Sequence, residues 1–218
     1  MKSKTKARLS VALGGVAATV AILLPVFMSS NGLGSERRDY RVGDRLPSKA
    51  EPSRSDSAKS PSAASAIKVT TWDDLVPKDW DPMKDFKELN LQNLQDSDPR
   101  AMRALDTLMT AWRNAPVRAD LNGARVRIPG FVIPLEQNKG AMTEFLVVPY
   151  FGACIHTPPP PSNQIIHALV KKPVAGFRTM DAAWVSGVLE TATSDTSFGR
   201  AGYRLRVDLV EPYKDARR

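Results

Sequence analysis

The chain has 218 residues, of which 42% are apolar and 25% charged, with a formal net charge of +8, one Cys and two His. That length admits one ordinary domain with appendages, and 13 Gly with 17 Pro are too few for a fibrous or wholly disordered chain. A single Cys excludes an intramolecular disulfide framework, and Cys₄ and Cys₂His₂ zinc modules with it.

Lys2, Lys4, Lys6 and Arg8 precede an uncharged, mostly apolar run of 20 residues from Leu9 to Met28. A basic stretch followed by an apolar one is the layout of an export signal. The run is also long enough to cross a bilayer as a helix. Residues 1–34 are therefore expected to form a signal peptide or a signal anchor, with cleavage and retention both open. Small residues at Ser30-Asn31-Gly32 offer a cleavage site, and the absence of a Cys there excludes a lipoprotein anchor. The basic end holds the N-terminus in the cytoplasm and sends the remainder across the membrane.

Residues 35–66 read as a disordered linker. From Arg45 to Ala66 the chain is rich in Ser, Pro, Ala and charge, and it cannot bury enough apolar surface to offset its ordering entropy. The charge divides unevenly at this point. Residues 1–66 hold 11 Lys and Arg against 5 Asp and Glu, whereas residues 67–218 hold 20 against 18. The basic excess is mainly a property of the leader and linker, and the remaining chain is nearly neutral at +2.

Residues 67–218 are expected to form a single globular domain, with a wrapping segment and helix over 67–116 and a β-barrel core over 117–218. The wrapping segment contains Trp72, Trp80, Phe86 and Leu89 among Asp73, Asp74, Asp79, Asp81 and Asp85. Those acids lack regular calcium-loop spacing, so the segment is read as pinning its aromatics onto the domain. Asp98 is a good N-cap and Pro99 suits the first helical position. Met102, Leu105, Leu108, Met109 and Trp112 then mark one apolar helical face, read as core packing, until Asn114-Ala115-Pro116 ends the helix.

From Leu121 the periodicity changes to two. Strands are expected at Arg125–Ile128, resuming at Phe131–Ile133 after Pro129-Gly130, and at Glu144–Val148, Gln164–Val170, Trp184–Thr191 and Tyr203–Leu209. Turns at Asn122-Gly123 and Gly199–Gly202 separate them. Five short strands with few helices predict a mainly β (α+β) fold: a small, five-stranded, OB-like, partly open barrel whose long first strand bends at Gly130. OB-type barrels often bind nucleic acid, but a nearly neutral exported domain without aromatic-basic alternation argues against it. Arg125, Arg127, Arg204 and Arg206 are read as solvated outer faces of two strands.

Every Cys and His of the chain lies between Cys154 and His167. Cys154 and His156 are two apart and share a face on an extended segment. His167 sits mid-strand with Ile165 and Leu169 on its face. The stiff Pro158–Pro161 run between them can carry the chain out and return it at a fixed place. Cys154, His156 and His167 are thus candidate ligands for one ion. A thiolate with two imidazoles suits zinc, with a fourth position open. Copper is the runner-up if a weak axial Met, such as Met142, lies near. Two other readings stand beside this one: a Cys–His nucleophilic pair, and a structural role in which Cys154 packs as a small hydrophobe and His167 is a satisfied core residue. An enzyme would need a general base, for which Glu136 and Glu144 are the nearest carboxylates in sequence.

Four blocks resemble the exported bacterial proteins grouped as domain of unknown function 3299. They are Trp72-Asp-Asp-Leu-Val-Pro77, Val126-Arg-Ile-Pro-Gly-Phe-Val-Ile-Pro-Leu-Glu136, Phe145 to Gln164 with its Cys-Ile-His-Thr-Pro-Pro-Pro-Pro core, and Trp184-Val-Ser-Gly-Val-Leu189. They span about residues 70–212. The resemblance implies a periplasmic protein, secreted across or anchored in the inner membrane, with a role near metal handling or an ABC-type transporter. It supplies no activity and no ligand set. An inner-membrane transporter or other envelope protein is the expected partner, with membrane contact through residues 9–28 if they are retained. The alternative from another class is a metal-free β-barrel interaction module for a membrane partner, with the Pro-rich loop as its recognition surface.

Overall fold

In the computed structural model, which describes residues 39–48, 67–84 and 98–214, the stretch broken in the sequence at Pro129-Gly130 is one continuous strand. Strand β2, Arg125–Asn138, follows a short β1, Lys68–Val69, and helix α1, Pro99–Arg113. The remaining strands are β3 (Ala141–Val148), β4 (Ile166–Val174), β5 (Ala182–Glu190), β6 (Ser194–Thr196), β7 (Gly199–Ala201) and β8 (Tyr203–Pro212). The five long strands expected from the sequence all form. The leader 1–34, residues 35–38 and 49–66 of the expected linker, and Asp85, Phe86 and Leu89 of the wrapping segment lie outside the described residues. No helix among the described residues is long and apolar enough to cross a membrane.

The sheet order is β1-β2-β3-β4-β8-β5, and β2 also pairs with β5. The barrel is therefore closed, where the sequence suggested a partly open one. Closure is possible because β2 changes partners along its length. Arg125 to Phe131 pair with β5, and Phe131 to Asn138 pair with β3. Gly130 sits at this changeover. A Cβ there would lie 2.5 Å from Val147 Cγ1 and 2.9 Å from the Val148 carbonyl, so only glycine lets the two walls approach. Pro129 offers no N–H, but its carbonyl accepts from Trp72 Nε1 at 2.7 Å. The one parallel contact within the barrel is β4–β8.

Alternate residues of the barrel strands, among them Val126, Ile128, Phe145, Val147, Ile166, Val185, Tyr203 and Leu205, fill the interior. The wrapping segment closes this core. Trp72 and Leu75 are buried in it, and the Tyr203 hydroxyl donates to the Leu75 carbonyl and accepts from the Arg118 N–H, both at 2.7 Å. Asp74 serves this turn by accepting from the Thr71 N–H and hydroxyl, which holds its carboxyl below the usual range. Three of the four arginines expected on outer faces are each held there by an acid: Arg125 by Asp208 at 2.7 Å, Arg127 by Glu211 at 3.2 Å and Arg206 by Glu190 at 2.7 Å. Arg204 is instead half-buried, with its Nε lacking a hydrogen-bond partner.

Two expectations are corrected. Residues 39–48, assigned by composition to a linker, pack on the outside of the barrel: Leu46 is buried, and Tyr40 meets Phe131 edge-on and stacks with Phe151. Arg45 forms a bridge with Tyr150. Tyr40 and Leu46 dock this short strap together with two backbone bonds, from the Gly43 N–H to the Phe151 carbonyl and from the Phe151 N–H to the Asp44 carbonyl, both at 2.9 Å. The second correction concerns α1, whose Met102 and Leu105 are 62% and 59% exposed rather than core. The helix seats on its small side, with Ala104 buried, because small side chains allow the closest approach.

Candidate functional site

Residues that bury both faces of a strand need a second layer, and the barrel has one on a single flank. Outward-facing Phe131, Ile133, Leu146, Val148 and Ile165 form an outer apolar cluster with Leu46 of the strap, Ala153 and Met180. The candidate ligands border this cluster, and their environments differ.

Cys154 packs against the cluster from the turn that follows β3. Its φ is +64°, a left-handed conformation that costs a non-glycine residue on the order of 1–2 kcal/mol. Desolvation pushes its thiol up to about 11. At neutral pH it is therefore a protonated thiol, which weakens the nucleophilic reading. His156 is exposed on the same turn, and its backbone N–H donates to the Gly152 carbonyl at 2.8 Å. The Gly152 N–H in turn donates to Met180 Sδ at 3.2 Å, and Met180 itself has φ +67°. The methionine beside the Cys turn is thus Met180. Met142, the axial candidate named from the sequence, is fully buried inside the barrel, on the other side of the wall.

His167 is 8% exposed on the outer face of β4. Its neighbours in register are Leu146 on β3 and Arg204 on β8. Nε2 donates to Glu144 Oε1 at 2.6 Å, while Nδ1 is buried with no partner. Glu144 reaches this face through a local irregularity. Met142 points into the barrel, so simple alternation would send residue 144 inward too. The register shifts between Met142 and Glu144, against both β2 and β4, and the extra residue turns Glu144 outward with Leu146 and Val148. Glu144 was one of two carboxylates near the site in sequence. Its pairing could be read only once β3 and β4 were aligned.

Among the described residues no group of three or more His, Cys, Asp or Glu side chains is placed to hold a metal ion. The structure brings together His167 and Glu144, and sets Cys154 and His156 on one turn bordering the same flank. Beside that turn, Pro160 and Trp112 wall two concavities. One, of about 530 Å³, also involves Arg45, Trp80, Tyr150 and Pro161. The other, of about 200 Å³, involves Met109, Pro159 and Arg200.

A closed five-stranded barrel, with one α-helix among the described residues and the thiol and imidazoles bordering one flank, defines a small mainly β class of protein. The family model described as "Protein of unknown function (DUF3299)" matches residues 72–212, and the chain belongs to that family. A crystal structure of a DUF3299 family protein from Pseudomonas aeruginosa PAO1 is similar, with 34% identity and a TM-score of 0.53, over 69% of this chain and 99% of that one. No curated protein matches.

Proposed function

We propose that the protein is a periplasmic metal-binding accessory protein of the bacterial envelope, serving metal homeostasis or an ABC-type transport system. Zinc is the favoured ion and copper the next. The observation that carries this reading is the His167–Glu144 pair: a buried imidazole oriented by a carboxylate, its other nitrogen left without a partner. Metal-ligating histidines characteristically donate their second ring N–H to such a carboxylate, which fixes the ring and raises its basicity. In this reading His167 Nδ1 is the fixed ligand, and the turn carrying Cys154 and His156 completes the set by closing on it. The OB-like barrel serves as a rigid frame for that flank.

Elemental analysis of the unit Gly32–Arg218 under reducing conditions tests the proposal. About one ion per chain is expected, lost in Cys154→Ala and in His167→Ala, with affinity reduced about 10–100-fold in Glu144→Gln. Because the thiol must lose its proton on binding, and burial holds it near 11, affinity should rise about tenfold per pH unit between roughly pH 7 and 9. A wild-type protein without stoichiometric metal overturns the reading.

The concavity of about 530 Å³ at the Pro-rich loop favours a second reading, a metal-free interaction module for a membrane partner. There, Trp112→Ala weakens partner cross-linking in the envelope and Cys154→Ala leaves it intact.

A further inference from the structure

Beside the candidate ligands, outward-facing residues form lines across the barrel wall. Leu146 on β3, His167 on β4, Arg204 on β8 and Glu190 on β5 are successive partners in register. Two residues along the strands the line is Glu144, Leu169, Arg206 and Val188. The ion pairs run between the two lines. Glu144 accepts from His167 at 2.6 Å, and Glu190 from Arg206 at 2.7 Å. Both acids are thereby taken, and Arg204, set between the two pairs, is left without one among the described residues.

An exposed arginine is balanced by water, but Arg204 is half-buried and its Nε is buried with no partner. Its neighbour His167 has the same deficit at Nδ1. Adjacent strands lie about 4.8 Å apart, so these two side chains leave the wall side by side. Among the described residues, no other two side chains with a buried, unpartnered polar atom are partners in register. Buried polar atoms are normally satisfied, so neighbouring orphans of this kind point to a shared ligand.

Charge says what that ligand is, on the basis of the metal reading above. The set of Cys154, His156 and His167 leaves one position open on a zinc ion. Zinc is balanced by the Cys154 thiolate and the Glu144 carboxylate, and Arg206 is balanced by Glu190. The Arg204 charge is left over, and a half-buried charge without a counter-charge is costly. One monoanion at the open position cancels it. Two oxygens on one carbon match the planar guanidinium fork, which a point-like anion does not.

We propose that Arg204 holds an anionic co-ligand, a small carboxylate or bicarbonate, that fills the open position of the ion bound at His167. The protein then takes up metal and anion together, and Arg204 acts as a positioning residue that disfavours the bare ion and favours the ion with its anion.

Zinc titration calorimetry of the unit Gly32–Arg218 under reducing conditions tests this. The Pseudomonas aeruginosa relative is matched over 99% of its own chain, so the matched domain folds without a leader. Acetate or bicarbonate should tighten zinc binding by the wild type about tenfold over perchlorate at equal ionic strength, and zinc should tighten anion binding by the same factor. A response to acetate alone assigns a carboxylate, and a response to bicarbonate alone assigns bicarbonate. Arg204→Gln should lose the response. In perchlorate it should bind zinc more tightly than wild type, because a like charge has gone. A purely structural Arg204 would instead lower the affinity of the variant in every buffer, and that result overturns the proposal. If Arg204→Gln melts early, Arg204→Lys keeps the charge and loses the fork, so it should retain the weak binding in perchlorate and lose most of the response. Stoichiometric zinc with the same affinity in every anion, or an equal response in wild type and both variants, overturns this inference and leaves the metal reading standing. No zinc in any buffer overturns both.

Discussion

The interior of the barrel and its outer flank are both apolar and both buried, yet they are built in different ways. The interior is supplied by strands whose alternation is enforced on every side. Its polar groups, such as the Tyr203 hydroxyl, are fully partnered. The outer flank is assembled from pieces far apart in the chain: the strap at 39–48, the turn at 152–157, Met180 and Phe198. It contains two non-glycine residues in the left-handed region, Cys154 and Met180, and a buried imidazole nitrogen without a partner. Strain and an unmet hydrogen-bonding group side by side are features that functional sites commonly retain, although Lys139 is left-handed too and buried polar atoms of Trp112, Arg127 and Ser194 also lack partners elsewhere. The interior is a regular, packed support, the flank is assembled, and the proposed metal reading rests on the flank.

Perturbing the support should have the largest effects. At Gly187 a Cβ would lie 2.2 Å from the Arg206 carbonyl oxygen, a backbone atom that cannot step aside. Gly187→Ala should therefore cost about 3 kcal/mol or more, read as a lower urea midpoint. Tyr203→Phe removes one hydroxyl that satisfies two backbone groups. Stranding the Leu75 carbonyl and the Arg118 N–H should cost about 2–3 kcal/mol in the same assay.

On the flank the expected effect is chemical. Burial raises the folded Cys154 thiol from 9.0 to about 11, so the folded state favours the protonated form. Any stability this adds is fully present below about pH 9 and is lost as pH rises toward 11. Near pH 8 the two-unit gap predicts alkylation of the folded chain about a hundredfold slower than of the urea-unfolded chain, with little change in the unfolding midpoint. Equal rates in the two states would show an exposed thiol and remove the distinction between flank and interior.

The interior was legible in the sequence because period-two alternation leaves few arrangements. Tyr203, Leu205 and Val207 against Arg204, Arg206 and Asp208 announced both their strand and its two faces. The Pro129-Gly130 interruption was also visible. That it marks a change of pairing partner could emerge only from the closed sheet. The flank was legible in composition alone. The clustering of Cys154, His156 and His167 singled out the segment, yet the residue that engages His167 is Glu144, and a register shift places it. The strap was missed because two or three apolar side chains in a polar stretch carry little signal until a hydrophobic flank exists to receive them. The stripe on α1 showed in the sequence, but which side of the helix the domain would use did not, since burial of a single small residue, Ala104, leaves no strong periodic mark.

The irregularity before Glu144 makes the flank sensitive to counting. One extra residue near Thr143 is absorbed by a break in the ladder, so that Met142 and Phe145 both face inward although three positions separate them. Deleting it would restore plain alternation with the same faces, Met142 inward, Glu144 outward and Phe145 inward, and would only straighten the strand beneath the carboxylate. Inserting a second residue is the change that counts, because alternation would then send Glu144 toward the interior and bring Phe145 to the flank.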